Sequence, residues 1–162
     1  MAIEIQPPQP IPAKPTAPWF FLAGSIDDGQ AETWQRSFVE ALGPSDCVIL
    51  NPRRTHRNSK IEQKLSSPEF RGQVEWELDS QEAADFILMY LAPGTKAPIA
   101  LMELGLFAKS GKLLVCCPEG FWRRGNVEVI CARYQIPAVE RFQDLVEFAR
   151  SKAQEAYGQK VA

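Results

Sequence analysis

One histidine and four cysteines without a CxxC pair leave this chain of 162 residues little from which to build a metal centre. Cys47, Cys116, Cys117 and Cys131 fall in hydrophobic runs, which is where buried reduced thiols are expected rather than a zinc site or a disulfide framework. His56 stands in a polar, basic stretch and reads as a loop histidine, since a zinc site needs more nitrogen and sulfur donors. No metal and no cofactor are therefore expected. No apolar run approaches the roughly 18 to 20 residues that span a bilayer, and the N-terminus lacks the basic-then-apolar order of a signal peptide. A cytoplasmic protein without a membrane partner is the expectation. A formal net charge of −2 lacks the basic excess of a protein that coats a nucleic acid polymer. GxGxxG is also missing, and the lone turn Ala23-Gly24-Ser25 is too little for a dinucleotide-binding oxidoreductase. A small, neutral or locally bound ligand suits this balance better.

The length suits one domain with a substantial core. Six prolines within the first 18 residues favour polyproline II, so residues 1–17 are expected to form an extended arm ahead of a domain over 18–162. Beyond the arm, short apolar runs alternate with longer amphipathic ones, the pattern of a parallel sheet covered by helices. Strands are expected at Trp19 to Ala23, Cys47 to Leu50, Phe86 to Leu91 and Leu113 to Cys117, with a short fifth at Ile136 to Val139. Helices are expected at about 30–42, 68–83, 98–110, 126–134 and 141–157. The expected fold class is thus α/β, a flavodoxin-like or Rossmann-like three-layer fold whose sheet of about five parallel strands carries helices on both faces.

Ligands of such sheets bind outside the carboxyl ends of the strands. Those ends carry polar, glycine- or proline-punctuated loops, including Gly24-Ser25-Ile26-Asp27-Asp28-Gly29 and Asn51-Pro52-Arg53-Arg54. After the third main strand comes Pro98-Ile99-Ala100-Leu101-Met102-Glu103-Leu104-Gly105-Leu106-Phe107-Ala108, a helix apolar nearly all round. Glu103 has Ile99 and Phe107 four residues away and Ala100 and Leu106 three away. An unpaired carboxylate there costs several kcal/mol or neutralises, so it is expected to line a cavity or meet a specific partner. A second acid lies in the helix that contains Gln73-Val74-Glu75-Trp76-Glu77-Leu78-Asp79, and pattern alone does not choose among Glu75, Glu77, Asp79 and Glu82.

Phe21-Leu22-Ala23-Gly24-Ser25-Ile26, an acid eight residues before the Ala-Asp that opens the third strand, and Met102-Glu103-Leu104-Gly105 together resemble the nucleoside 2-deoxyribosyltransferase-like superfamily. Asn51-Pro52-Arg53-Arg54, Gln73-Val74-Glu75-Trp76-Glu77 and Phe121-Trp122-Arg123-Arg124-Gly125-Asn126-Val127 resemble a branch found in bacteria and fungi. The resemblance implies that Glu103 is the nucleophile and that Glu77 handles the leaving base. It also implies a homo-oligomer in which Asn126 completes a neighbouring subunit's site. Phe21 stands where these enzymes commonly have a tyrosine whose hydroxyl orients the nucleophile, so another donor must hold Glu103. Ala97 replaces the family's polar residue six before the nucleophile.

The implied chemistry is two displacements at C1′ through a covalent glycosyl-enzyme, with the carboxyl groups about 5 to 6 Å apart by analogy with retaining glycosidases. Partners are then nucleosides and free nucleobases. The substrate is expected to meet Phe21, Gly24, Ser25, Ile26, Asp27, Asn51, Arg53, Gln73, Asp85 and Asn126, with Trp34 and Trp76 stacking on the base. Two rival readings follow from the same residues. A hydrolase of nucleosides or nucleoside 5′-monophosphates would use Arg53, Arg54, Ser25 and helix N–H groups on a phosphate. A binding module without turnover would fit the loss of the tyrosine at Phe21.

Overall fold

The computed structural model describes residues 1–13, 16–26, 33–53 and 61–161. Six strands form one parallel sheet: β1 (Ile3–Ile5), β2 (Trp19–Gly24), β3 (Val48–Leu50), β4 (Phe86–Tyr90), β5 (Leu113–Cys116) and β6 (Ala138–Val139), in the order β1-β3-β2-β4-β5-β6. Five helices connect or follow them: α1 (Trp34–Leu42), α2 (Pro68–Ala83), α3 (Pro98–Phe107), α4 (Arg124–Tyr134) and α5 (Phe142–Val161).

Strand alternation assigns each side chain to one of two cores. Trp19, Phe21 and Ala23 of β2 join Ile87, Met89 and Val115 beneath α2, α3 and α4, where they meet Trp76, Ala100, Leu104 and Val127. Phe20 and Leu22 point the other way with Leu88, Leu114 and Cys116, and pack against Trp34, Phe38, Leu145 and Ala149 of α1 and α5. Because both faces are covered, the strands read as unbroken apolar runs, as parallel strands must. The four cysteines lie buried as free thiols within these layers.

The sheet has one strand more than the sequence pattern suggests. Ile3–Ile5 occupies the longest proline-free stretch of the N-terminal segment and pairs with β3, with Ile3 opposite Val48 and Ile5 opposite Leu50. Proline lacks the N–H that a ladder needs, so pairing stops as the prolines begin at Pro7. Residues 1–17 are accordingly anchored at their start, with Ile5 buried in the core beneath Trp76 and Ile11 packed against the same cluster. Helix ends differ by a few residues from those expected: α3 stops at Phe107, α4 begins at Arg124, and α5 runs to Val161. The start expected for the first helix, at residues 30–32, lies outside the described residues.

Without its edge strand, the order β3-β2-β4-β5-β6 is that of a doubly wound sheet. From β2 the chain first moves through α1 to β3, then crosses back through α2 to β4 on β2's other side. The reversal opens a crevice at the carboxyl ends of β2 and β4, where Gly24-Ser25 and the segment Ala92 to Thr95 emerge.

Candidate active site

Gly24 closes β2 at φ 131°, and a Cβ there would lie 2.1 Å from the Tyr90 carbonyl oxygen. Only glycine lets β2 and β4 approach so closely at their ends. Ser25, fully buried, donates its N–H to Tyr90 O at 2.9 Å, and its Oγ accepts the Ala92 N–H at 3.0 Å. Thr95 sends its hydroxyl hydrogen to Ala92 O at 2.8 Å, which leaves the Ser25 hydroxyl to donate to Thr95 Oγ1 at 2.6 Å. The Ser25 side chain is thus spent on fixing the loop. Its carbonyl oxygen accepts from Trp34 Nε1 at 3.0 Å and from buried Gln35 Nε2 at 3.4 Å.

A second polar chain starts at the N-terminal strand. Asn51 donates its backbone N–H to Ile5 O at 2.9 Å and Nδ2 to Glu4 Oε1 at 2.7 Å, and accepts the Arg53 N–H on Oδ1 at 3.0 Å. Arg53 reaches across to Gln35 Oε1 at 3.2 Å, joining the segment after β3 to the first turn of α1. Pro52 O accepts from Gln73 Nε2 at 3.3 Å, and the same nitrogen lies 2.5 Å from Glu77 Oε1.

Along α2, Gln73, Glu77 and Gln81 recur every four residues and form a polar stripe on one face. The structure chooses among the acids of this helix. Glu75 is exposed and pairs with Arg71, Asp79 and Glu82 are exposed, and Glu77 alone is half-buried beside the stripe. Buried Gln81 donates Nε2 to Glu77 O at 3.2 Å and to Glu103 Oε1 at 2.9 Å.

Glu103 sits in the middle of α3, only 8% exposed. Burial pushes its carboxyl up to about 7, the negative charge of Glu77 pushes the same way, and the Gln81 bond draws it back down. Among the described residues the carboxylate meets an amide and a second acid rather than a cation. Such an arrangement does not buy stability; a carboxylate held this way is suited to attack an electrophilic centre.

Phe21 is buried in the core on the same face of the sheet as α3. Trp34 is buried on the opposite face, edge-on to Tyr90 at 5.5 Å between ring centroids. Trp76 is buried under the N-terminal segment and donates Nε1 to Gln9 O at 2.8 Å. Asp85 precedes β4 at the amino end of the sheet and accepts the Trp19 N–H at 2.9 Å, so it ties two strands at the end remote from the crevice. Ile26 is half-buried at the crevice, and Asp27, Arg54 and His56 lie outside the described residues. Asn126 is exposed on α4 and lines a groove of about 270 Å³ with Leu101, Leu104, Trp122, Val127 and Ile130. Glu103 does not line that groove. Within one chain, Asn126 and the buried acid therefore face different spaces.

Gln35 and Gln81 are not among the residues the sequence pattern singles out, and Thr95 is marked there only as part of the loop Ala92-Pro93-Gly94-Thr95 at a strand's carboxyl end. Gln81 left one signal, its spacing of four residues from Glu77 on a helix whose other buried residues are Trp76 and Ser80. Among the described residues no group of three or more His, Cys, Asp or Glu side chains is placed to hold a metal ion. Nor is any helix among them long and apolar enough to cross a membrane.

The model of proteins described as nucleoside 2-deoxyribosyltransferase like matches residues 18–121, and the chain belongs to that family. A search of curated proteins gives no match. Among solved structures the chain is similar to a conserved protein from Enterococcus faecalis V583, with a TM-score of 0.59 and 10% identity over 83% of this chain and 98% of that one. At that identity the likeness carries the fold alone.

Proposed function

We propose that this protein is a nucleoside 2′-deoxyribosyltransferase that moves 2-deoxyribose between nucleobases through a covalent intermediate on Glu103. The observation that carries the reading is the Glu103 carboxylate, buried on an apolar helix and met, among the described residues, by Gln81 and Glu77 instead of a cation. Family membership supports glycosyl transfer as the reaction class.

In this scheme a Glu103 oxygen attacks C1′ as the N-glycosidic bond breaks, and the bonding pair leaves with the base nitrogen. Glu77 supplies the proton that the departing base takes up. A second base then attacks C1′ from the face the first one left, frees the Glu103 carboxylate, and returns a proton to Glu77. Two inversions retain configuration. Two carboxyl groups in one site resist being ionised together, which suits a cycle that needs one as anion and the other as acid.

The same reading includes self-association. Ile99, Met102 and Leu106 recur along one face of α3 and are 56%, 63% and 62% exposed, with Trp122 and Val129 exposed nearby in sequence on and before α4. A second copy of the chain would cover this stripe and bring Asn126 to its neighbour's site.

A nucleoside 5′-monophosphate hydrolase is the second reading, favoured by Arg53, which Gln35 and Asn51 hold at the carboxyl end of β3. Chromatography after incubation with deoxyinosine, with and without adenine, and with deoxyinosine 5′-monophosphate separates the cases. Deoxyadenosine formed only with adenine present is the expected result. Hypoxanthine released from the nucleotide alone would replace transfer with phosphate-dependent hydrolysis.

A further inference from the structure

We propose that Gln81 is the positioning residue of Glu103, a locked amide donor that fixes one carboxylate oxygen and favours the ionised nucleophile. The proposal rests on the reading of Glu103 as the attacking group, and its geometry stands independently of any substrate.

An amide nitrogen carries two hydrogens, and both are used here: one on Glu103 Oε1 at 2.9 Å and one on the Glu77 carbonyl oxygen at 3.2 Å. The second bond fixes the first. Turned over, the amide would set its oxygen against two acceptors, the Glu77 carbonyl and the Glu103 carboxylate, so the nitrogen is held toward Glu103. The backbone beneath is anchored as well, because Lys112 Nζ at the start of β5 bonds Glu82 O at 2.6 Å and Gln81 O at 3.4 Å.

Gln81 is fully buried, and its Oε1 has no hydrogen-bond partner among the described residues. As packing alone this is a poor choice: an apolar side chain of the same length would fill the space without burying an unmet acceptor. What the amide supplies is the bond to Glu103. Among the described residues the sheet side of the core offers no replacement, since the side chains of Phe21, Ile87 and Met89 carry no donor.

Among the described residues the charged groups around Glu103 are few. From α2 comes Glu77, which opposes ionisation, and Lys112 is turned to the main-chain carbonyls of Gln81 and Glu82. Glu103 is the only ionisable residue in α3. A fixed donor beside an acid in such surroundings stabilises the anion and lowers its titration midpoint.

The test is a carbon-13 carboxyl NMR titration of the full chain labelled at glutamate, with the Glu103 signal identified by its loss in Glu103→Gln. Gln81→Met keeps length and removes the amide, and it is expected to raise the Glu103 midpoint by about one unit. Glu77→Gln is expected to lower it. A midpoint unchanged in Gln81→Met, or moved the same way in both variants, overturns the proposal. Should Gln81→Met not fold, Gln81→Asn, whose amide is one methylene too short to reach, takes its place with the same expected direction and the same overturning result. If wild-type protein exchanges no bases while the midpoints move in opposite directions, the activity reading fails and the role of Gln81 stands. If exchange is present, kcat/KM of Gln81→Met should fall about tenfold below the midpoint and recover at alkaline pH; an equal loss at every pH would mark a merely structural residue and overturn the proposal.

Discussion

Ser25 and Thr95, seventy residues apart, meet through their hydroxyl groups at 2.6 Å in the buried crevice between β2 and β4. Their bond fastens the loop after the first central strand to the loop that leads into α3, and so sets where the helix bearing Glu103 begins. Ala97, buried at φ 43° just before Pro98, takes a left-handed conformation uncommon for a residue with a Cβ, and the fixed turn at Thr95 helps to impose it.

Ser25→Ala should therefore act on stability and on the site together. The Ala92 N–H loses its acceptor while Thr95 loses the hydrogen bond it accepts and keeps the one it donates to Ala92 O, and a buried donor left unsatisfied costs about 1 to 3 kcal/mol. Urea unfolding is expected to show a loss of that size, and a change below about 0.5 kcal/mol would mean that the contact fixes nothing.

Glu103 ties stability to pH. Its carboxyl lies at about 7 in the folded chain against an ordinary value of 4.5, so the folded state binds the proton more tightly than the unfolded one. The stabilisation is complete below about pH 4.5 and is lost as pH rises toward 7, and the full shift corresponds to about 3 kcal/mol. Denaturation at pH 5 and pH 8 should show this slope in the wild type and lack it in Glu103→Gln, which becomes the more stable protein at pH 8. Equal slopes in both would place the titrating group elsewhere.

For Glu77, acid catalysis sets the expected magnitude. Glu77→Gln should slow cleavage by about 10²- to 10⁴-fold for bases that leave poorly as anions, and by much less for activated leaving groups. An equal loss for both would assign Glu77 a binding role.

Self-association is checked by light scattering after size-exclusion chromatography. Met102→Glu places a charge in the middle of the exposed stripe of α3 and is expected to yield a monomer where the wild type is an oligomer. An unchanged mass would move the interface off this helix.

Most of the fold was legible because both faces of a parallel sheet must be apolar: the runs at β2, β4 and β5 have no other reading between amphipathic helices. The edge strand β1 was not, since three residues beside a proline-rich stretch give periodicity nothing to act on. For the site, Glu103 stood out as a charge on an apolar helix, and burial bears out that its surroundings are unusual. Trp34 shows the opposite case, because an aromatic residue near a motif in sequence says nothing about which face of the sheet its ring enters: Trp34 packs with α1 and α5, whereas Trp76 lies on the same face as α3. Gln81 was silent for a similar reason: a glutamine on a helix is ordinary until the partner of its amide is known.

The central claim is that Glu103 forms a covalent bond to the sugar. A nucleoside whose 2′ position carries fluorine slows both displacements by destabilising positive charge at C1′. Incubation with such a substrate, followed by proteolysis and mass spectrometry, is expected to find the fluorinated pentosyl group on the peptide that contains Glu103, and to find it discharged when free adenine is added. Free base released in stoichiometric excess with no sugar on the protein, or an adduct on a different side chain, would contradict the account.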